Sequence, residues 1–266
     1  MKIHYTILDP TENITLLVRT PVPRADQPRL AAELMKQEPK AEQVGFLEPS
    51  EKSEARLQMM GGEFCGNAAM SLAALLCRRK GRAEADIPLE VSGAAGTVNC
   101  HVTWVDGCYL GTVEMPLPEK IEQTSLPLDG KDCLFPVVFF EGICHAVLPW
   151  GSVGREQAEA VLRAWSPLLP REAVGLLFYD QAAERIDPLV YVKSTDTAVW
   201  ERGCGSGSAA VGALRAWQEE RDQCITVRQR GGTIAVSCLR RGGVFTSLTI
   251  TGTVKVRRSR TAEVIF

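Results

Sequence analysis

The sequence predicts an α+β protein built from two similar halves. Three observations carry this. Two short stretches, Glu63-Phe64-Cys65-Gly66-Asn67-Ala68-Ala69 and Glu201-Arg202-Gly203-Cys204-Gly205-Ser206-Gly207-Ser208, each set a Cys-Gly-polar triplet before a helical run. Behind each comes a Val-to-Gly-Thr phrase of equal spacing, Val91 to Gly96-Thr97 and Val227 to Gly232-Thr233. Behind that, Gly111-Thr112-Val113-Glu114-Met115 and Ser247-Leu248-Thr249-Ile250-Thr251 have strand patterning. Three motifs in one order point to an internal repeat: helix, then strand pair, twice. The halves are assigned to residues 1–118 and 119–266, related by a pseudo-twofold axis. The join lies near 117–130, and the last strand, near 256–266, is allowed to pack with the first half.

The elements follow in order. Leu16–Thr20 and Val44–Leu47 are apolar runs between Gly, Pro and charged residues and read as strands. Arg29–Gln37 carries Leu30, Leu34 and Met35 at helical spacing. Asn67–Arg79 is a helix with an extensive apolar surface. It closes on Arg78-Arg79-Lys80-Gly81, where basic residues meet the negative end of the helix dipole and a glycine stops the helix. Ile87–Met115 is strand-rich, and Pro116-Leu117-Pro118 breaks it. Pro136–Leu148 reads as strand, Ser152–Trp165 as an amphipathic helix, Gly175–Phe178 and Leu189–Val192 as strands. Ser206–Gln218 is a second apolar helix, and Ile225–Phe266 is strand-rich.

Composition excludes several classes. The chain has 266 residues, 45% hydrophobic and 23% charged, with a net charge of -2. That balance offers no general attraction for nucleic acid or an anionic membrane surface. The basic run Lys255–Arg260 has no interleaved aromatic residue and reads as a solvated strand face. No apolar run reaches the ~20 residues of a membrane span, and Met1–Thr6 lacks an export signature. A cytoplasmic protein is expected, with no nucleic-acid or membrane partner. Its nine cysteines are odd in number and lack C-x-x-C spacing. Neither a disulfide framework nor a metal site is expected.

The repeated cysteine carries the chemistry. A lone cysteine is ordinarily a small buried hydrophobe; two at matched helix starts are not. A helix N-terminus leaves amides without helical partners and carries partial positive charge. It should lower a thiol's pKa there and offer a cradle to a carboxylate. Gly66 and Gly205 would let the backbone approach a ligand closely; Asn67 and Ser206 could cap the turn or bond the ligand. Two such starts about one α-carbon would form a two-base racemase. One thiolate removes the α-proton, the other thiol returns a proton on the opposite face, and the amides stabilise the enediolate. No pyridoxal or other cofactor is needed. A nucleophilic Cys–His pair using His145 would leave the second cysteine without a role. Gly203-x-Gly205-x-Gly207 lacks the spacing of the phosphate-binding loops.

At these residues the chain resembles the diaminopimelate epimerase superfamily of cofactor-independent, two-cysteine racemases. Cys65-Gly66-Asn67 and Cys204-Gly205-Ser206-Gly207 match its two motifs. The resemblance implies two halves, each a central helix wrapped by a curved, mostly antiparallel sheet, with Cys65 and Cys204 catalytic. It also implies substrate-binding roles for Asn13, Gln43, Gly66, Asn67, Gly205 and Ser206, and pKa-tuning roles for His145 and Glu201. The departures narrow the substrate. Gly203 abuts Cys204, Ile143-Cys144 replaces the Asn-Pro before the family histidine, and Met59-Met60-Gly61-Gly62 replaces a polar stretch that helps grip the far end of diaminopimelate. The combination with Glu42-Gln43-Val44-Gly45-Phe46 is similar to the histidine racemases of staphylopine-type metallophore pathways. The expected partner is thus a small amino acid, histidine by analogy; a homodimer remains possible. Arg202 keeps diaminopimelate as an alternative, as is another amino acid. A noncatalytic amino-acid-binding module is the alternative of a different class.

Overall fold

The computed structural model describes residues 1–194 and 196–264. It divides into two compact units, Met1–Glu114 with Thr251–Phe266, and Met115–Ile250.

In the first unit, β1 (Lys2–Pro10), β2 (Thr15–Val18), α1 (Gln27–Gln37), β3 (Gln43–Glu48), β4 (Ala55–Met59), α2 (Gly66–Arg79), β5 (Glu84–Val91), β6 (Thr97–Val105) and β7 (Cys108–Glu114) follow in order. β1 and β2 pair antiparallel, β2 and β3 run parallel across α1, and β3 and β4 are antiparallel. β4 and β5 run parallel across α2, and β5, β6 and β7 form an antiparallel meander. Parallel neighbours need a crossover, and each helix supplies one. Leu30, Ala31 and Leu34 of α1 join a core with Ile3, Tyr5, Ile7, Leu16, Val18, Val44 and Phe46. α2 is different in kind. It has no charged residue before Arg78, is buried nearly all round, and touches β1, β2, β4, β5, β6 and β7. Such a helix belongs in the centre of a core.

The second unit repeats this succession. It holds β8 (Lys120–Leu128), β9 (Lys131–Phe139), β10 (Ile143–Pro149), α3 (Arg155–Trp165), β11 (Ala173–Asp180), β12 (Arg185–Val192), β13 (Thr197–Trp200), α4 (Gly205–Gln218), β14 (Gln223–Gln229) and β15 (Gly232–Arg241). β10 and β11 run parallel across α3, β11 and β12 are antiparallel, β12 meets β14 in parallel across α4, and β14 and β15 form a hairpin. α4 is an apolar core helix that packs on β15, β14, β9, β10 and β12. β16 (Val244–Glu263) begins beside β15; its later residues pair antiparallel with β1, from Lys2↔Glu263 to Pro10↔Val254.

The molecule is therefore α+β, mostly sheet, with four α-helices among the described residues. The sequence reading misses four strands. The stretch assigned as the join, 117–130, is mostly β8: its polar residues and Pro127 mimic a linker because only Leu126 is buried on this end strand. β1 escapes because its alternation gives way to continuous burial from Tyr5 onward. β4 and β13 are too short, at five and four residues, to show a period. The predicted strands at the C-terminus correspond to β14, β15 and β16; residues 265–266 of that prediction lie outside the described ones.

Candidate active site

Each unit places one cysteine at the same point of an equivalent helix. Cys65 is the N-cap of α2, with extended φ/ψ of -136° and 108°, and its Sγ accepts from the Ala68 amide at 3.4 Å. Cys204 is the N-cap of α4, with φ/ψ of -87° and 107°, and its Sγ accepts from the Gly207 amide at 3.2 Å. In both turns the sulfur occupies the place of an N-cap oxygen and holds the third helical amide. The first helical bonds follow, Ala69 N to Cys65 O at 3.0 Å and Ser208 N to Cys204 O at 3.1 Å. Gly66 and Asn67, and Gly205 and Ser206, head the two helices at positions to which a helix supplies no carbonyl. A carboxylate is the natural ligand for amides so placed.

Around Cys65 the first unit builds a hydrogen-bonded chain. The thiol donates to Gln43 Oε1 at 2.9 Å. Gln43 Nε2 donates to Asn13 Oδ1 at 2.6 Å and to Thr15 Oγ1 at 2.7 Å. Asn13 Nδ2 in turn donates to Glu42 Oε2 at 2.5 Å. The two polar residues named from sequence thus join one chain: Gln43, at the start of β3, meets the sulfur, and Asn13, just before β2, meets Gln43. The turn is fastened from behind by Ser92, whose hydroxyl donates to Glu63 O at 2.8 Å and accepts from Met59 N at 2.9 Å. Gly93 lies beside it with φ +70°, in the left-handed region; a Cβ there would lie 2.3 Å from Phe64 N. Glycine is needed on both counts.

Around Cys204 the second unit builds a different shell. Gln229 Oε1 accepts from Cys204 N at 2.6 Å, and its Nε2 donates to Ser208 Oγ at 2.8 Å. His145 Nε2 lies 3.0 Å from Ser206 Oγ, which lies 3.6 Å from Cys204 Sγ. The imidazole is fully buried, and burial holds its pKa down to about 3, so it is neutral at physiological pH. His145 Nδ1 is buried without a partner. An unpaired lone pair costs less there than an unpaired N–H. The favoured tautomer therefore carries its proton on Nε2 and donates to Ser206. That leaves the Ser206 hydroxyl to donate to the sulfur. The ring has space because residue 175 is glycine: a Cβ there would lie 2.1 Å from His145 Nδ1.

Cys204 departs from the sequence expectation. A helix start should lower a thiol's pKa, and the Ser206 hydroxyl and Gly207 amide do pull it down. Burial, with the charge and hydrogen bond of Glu201, outweighs them and raises Cys204 well above the ordinary thiol range. Burial likewise raises the Glu201 carboxyl, opposed by its hydrogen bond with Cys204. Low polarity penalises both charged forms, so Cys204 rests as a thiol.

Thr15, Glu42, Ser92, Ser208 and Gln229 were not singled out from sequence. Glu42, Ser92, Ser208 and Gln229 stand inside the repeated or family-like phrases, which is the available signal; Thr15 has none beyond proximity.

The family model described as "Histidine racemase CntK N-terminal domain" matches residues 2–262. The chain belongs to this histidine racemase family. It is 29% identical over 247 residues to the histidine racemase of Staphylococcus aureus, covering 90% of this chain and 89% of that one. It is 31% identical over 234 residues to the histidine racemase of Fusobacterium nucleatum, covering 84% and 85%. Among solved structures, a probable proline racemase from Agrobacterium radiobacter, crystallised with bound carbonate, superposes with a TM-score of 0.70 at 16% identity, covering 99% of this chain and 93% of that one. At that identity the likeness concerns the fold, which this histidine racemase family member shares with racemase structures. No helix among the described residues is long and apolar enough to cross a membrane.

Proposed function

We propose that this protein interconverts L- and D-histidine by moving the α-proton between two cysteines, Cys65 and Cys204, without a pyridoxal cofactor or metal. The observation that carries the reading is the matched pair of sulfur-capped helix starts, in a chain whose family is named for histidine racemisation. The substrate carboxylate is held by the amides of Gly66, Asn67, Gly205 and Ser206, with Asn13 and Gln43 beside it. Cys65, as thiolate, removes the α-proton from one face of the α-carbon; Cys204, resting as a thiol, delivers a proton to the opposite face. For the reverse reaction the roles exchange. Nascent negative charge on the carboxylate is stabilised by the same amides. His145 acts through Ser206, and Glu201 acts directly on Cys204, to set its affinity for the proton.

In this reading the halves, residues 1–118 and 119–266, each contribute one helix start, and each helix is wrapped by a curved sheet as in diaminopimelate epimerase. We place the enzyme in the cytoplasm, supplying D-histidine for metallophore assembly. The test is racemisation of L-histidine by purified protein without added pyridoxal phosphate. Cys65→Ser and Cys204→Ser should each abolish it; near-normal turnover in either variant overturns the two-base scheme. Faster turnover of LL-diaminopimelate than of L-histidine would overturn the substrate assignment. Ligand-dependent stabilisation with no α-proton exchange would identify a binding module instead.

A further inference from the structure

Four arginines converge on one cleft of the first unit. The cleft has a volume of about 330 Å³. Arg19 reaches it from the end of β2, Arg78 and Arg79 from the last turn of α2, and Arg257 from β16. The hydroxyls of Thr6 and Ser259, 3.1 Å apart, also line it. α2 has 14 residues, which at ~1.5 Å each puts about 20 Å between its Cys65 end and this one. The cleft is thus separate from the Cys65 turn.

Local structure explains part of this charge. Basic residues favour a helix C-terminus, and Arg78 Nη1 donates to Val256 O at 3.0 Å. Arg257 pairs with the buried carboxylate of Asp9. Nothing of that kind accounts for Arg19. It comes from another element, its Nε is buried without a hydrogen-bond partner, and its charge, after burial itself, depresses the neighbouring Arg79 guanidinium. Among the described residues no carboxylate pairs with Arg19, Arg78 or Arg79. Three like charges gathered on one cleft without a paired carboxylate repel one another.

An anion of several charges supplies what is missing. Guanidinium forks match the oxygens of phosphate, the two hydroxyls add donors, and the volume is that of a small-molecule pocket. We propose that this cleft binds a small phosphorylated anion with at least the charge of a diphosphate. The ligand would clamp β2, β16 and the C-terminal end of α2 together.

Inorganic pyrophosphate is the probe, at ionic strength held constant with sodium chloride. Calorimetry on the full chain should give saturable binding of one pyrophosphate per chain, and the thermal midpoint should rise with it. Arg19→Gln and Arg79→Gln should each weaken binding by about tenfold or more, while melting no lower than wild type without pyrophosphate, since repulsion is relieved. Arg78→Gln, at an exposed position, serves if either fails to fold. All should keep wild-type histidine turnover, which separates this site from the cysteines. Absence of saturable binding, or equal affinity in the variants, overturns the proposal. So does retention on phosphatidylglycerol vesicles without binding of pyrophosphate, which would assign the arginines to a lipid surface.

Discussion

Gly175→Ala tests the packing that holds His145. A Cβ at 175 would lie 2.1 Å from Nδ1 and 2.7 Å from Cε1 of the fully buried imidazole. Ordinary contact requires the ring to retreat by about 1.3 Å, and overpacking of this sort costs about 1–3 kcal/mol. For a chain of this size that corresponds to a fall of about 2–12 °C in thermal midpoint. The retreat also breaks the 3.0 Å contact between His145 Nε2 and Ser206 Oγ, so histidine turnover should fall with stability. The assay is a double-mutant cycle. Gly175→Ala is measured in wild type and in His145→Ala, where the ring is gone and the methyl group has room. The cost should shrink to within about 0.5 kcal/mol of zero in the second background. A neutral Gly175→Ala, or an equal cost in both backgrounds, refutes the reasoning.

Two further predictions concern protons. Glu201→Gln removes the carboxylate that, after burial, does most to raise Cys204; the thiolate absorbance of Cys204, taken as the difference from Cys204→Ser, should emerge at lower pH than in wild type. An unchanged or higher titration would contradict this. His145 is held neutral in the fold down to about pH 3, from an ordinary value of 6.5. The unfolded imidazole takes a proton below about 6.5, so the fold loses stability as pH falls from there toward 3. At ~1.4 kcal/mol per unit the loss is about 2 kcal/mol by pH 5. His145→Gln should flatten that limb of the stability–pH curve; an identical limb would show that the imidazole is not buried neutral.

The parts legible in the sequence were those written locally. The starts of α2 and α4 announce themselves through Cys-Gly-polar triplets, α1 and α3 through apolar spacing, and all four fall within a few residues of their predicted ranges. The repeat was legible because the hairpins β5–β6 and β14–β15 keep the same Val-to-Gly-Thr phrase. What was hidden depends on long-range packing. β8 looks like a linker because its side chains are mostly solvated and its hydrogen bonds with β9 leave no mark on composition. The proton affinity of Cys204 was hidden likewise. Helix position argues for a thiolate, but burial beside Glu201 wins, and burial is a property of the fold. Gln229 reaches Cys204 from 25 residues away, a contact that only the β14–β15 register sets.

The central claim is that two thiols act on opposite faces of one α-carbon. It is tested most directly by following L-histidine in deuterium oxide with wild-type protein and no added cofactor. At early times a two-base enzyme should form D-histidine that carries α-deuterium, while unreacted L-histidine keeps its protium. Deuterium entering L-histidine as fast as D-histidine forms, or D-histidine that retains the original proton, would contradict the account.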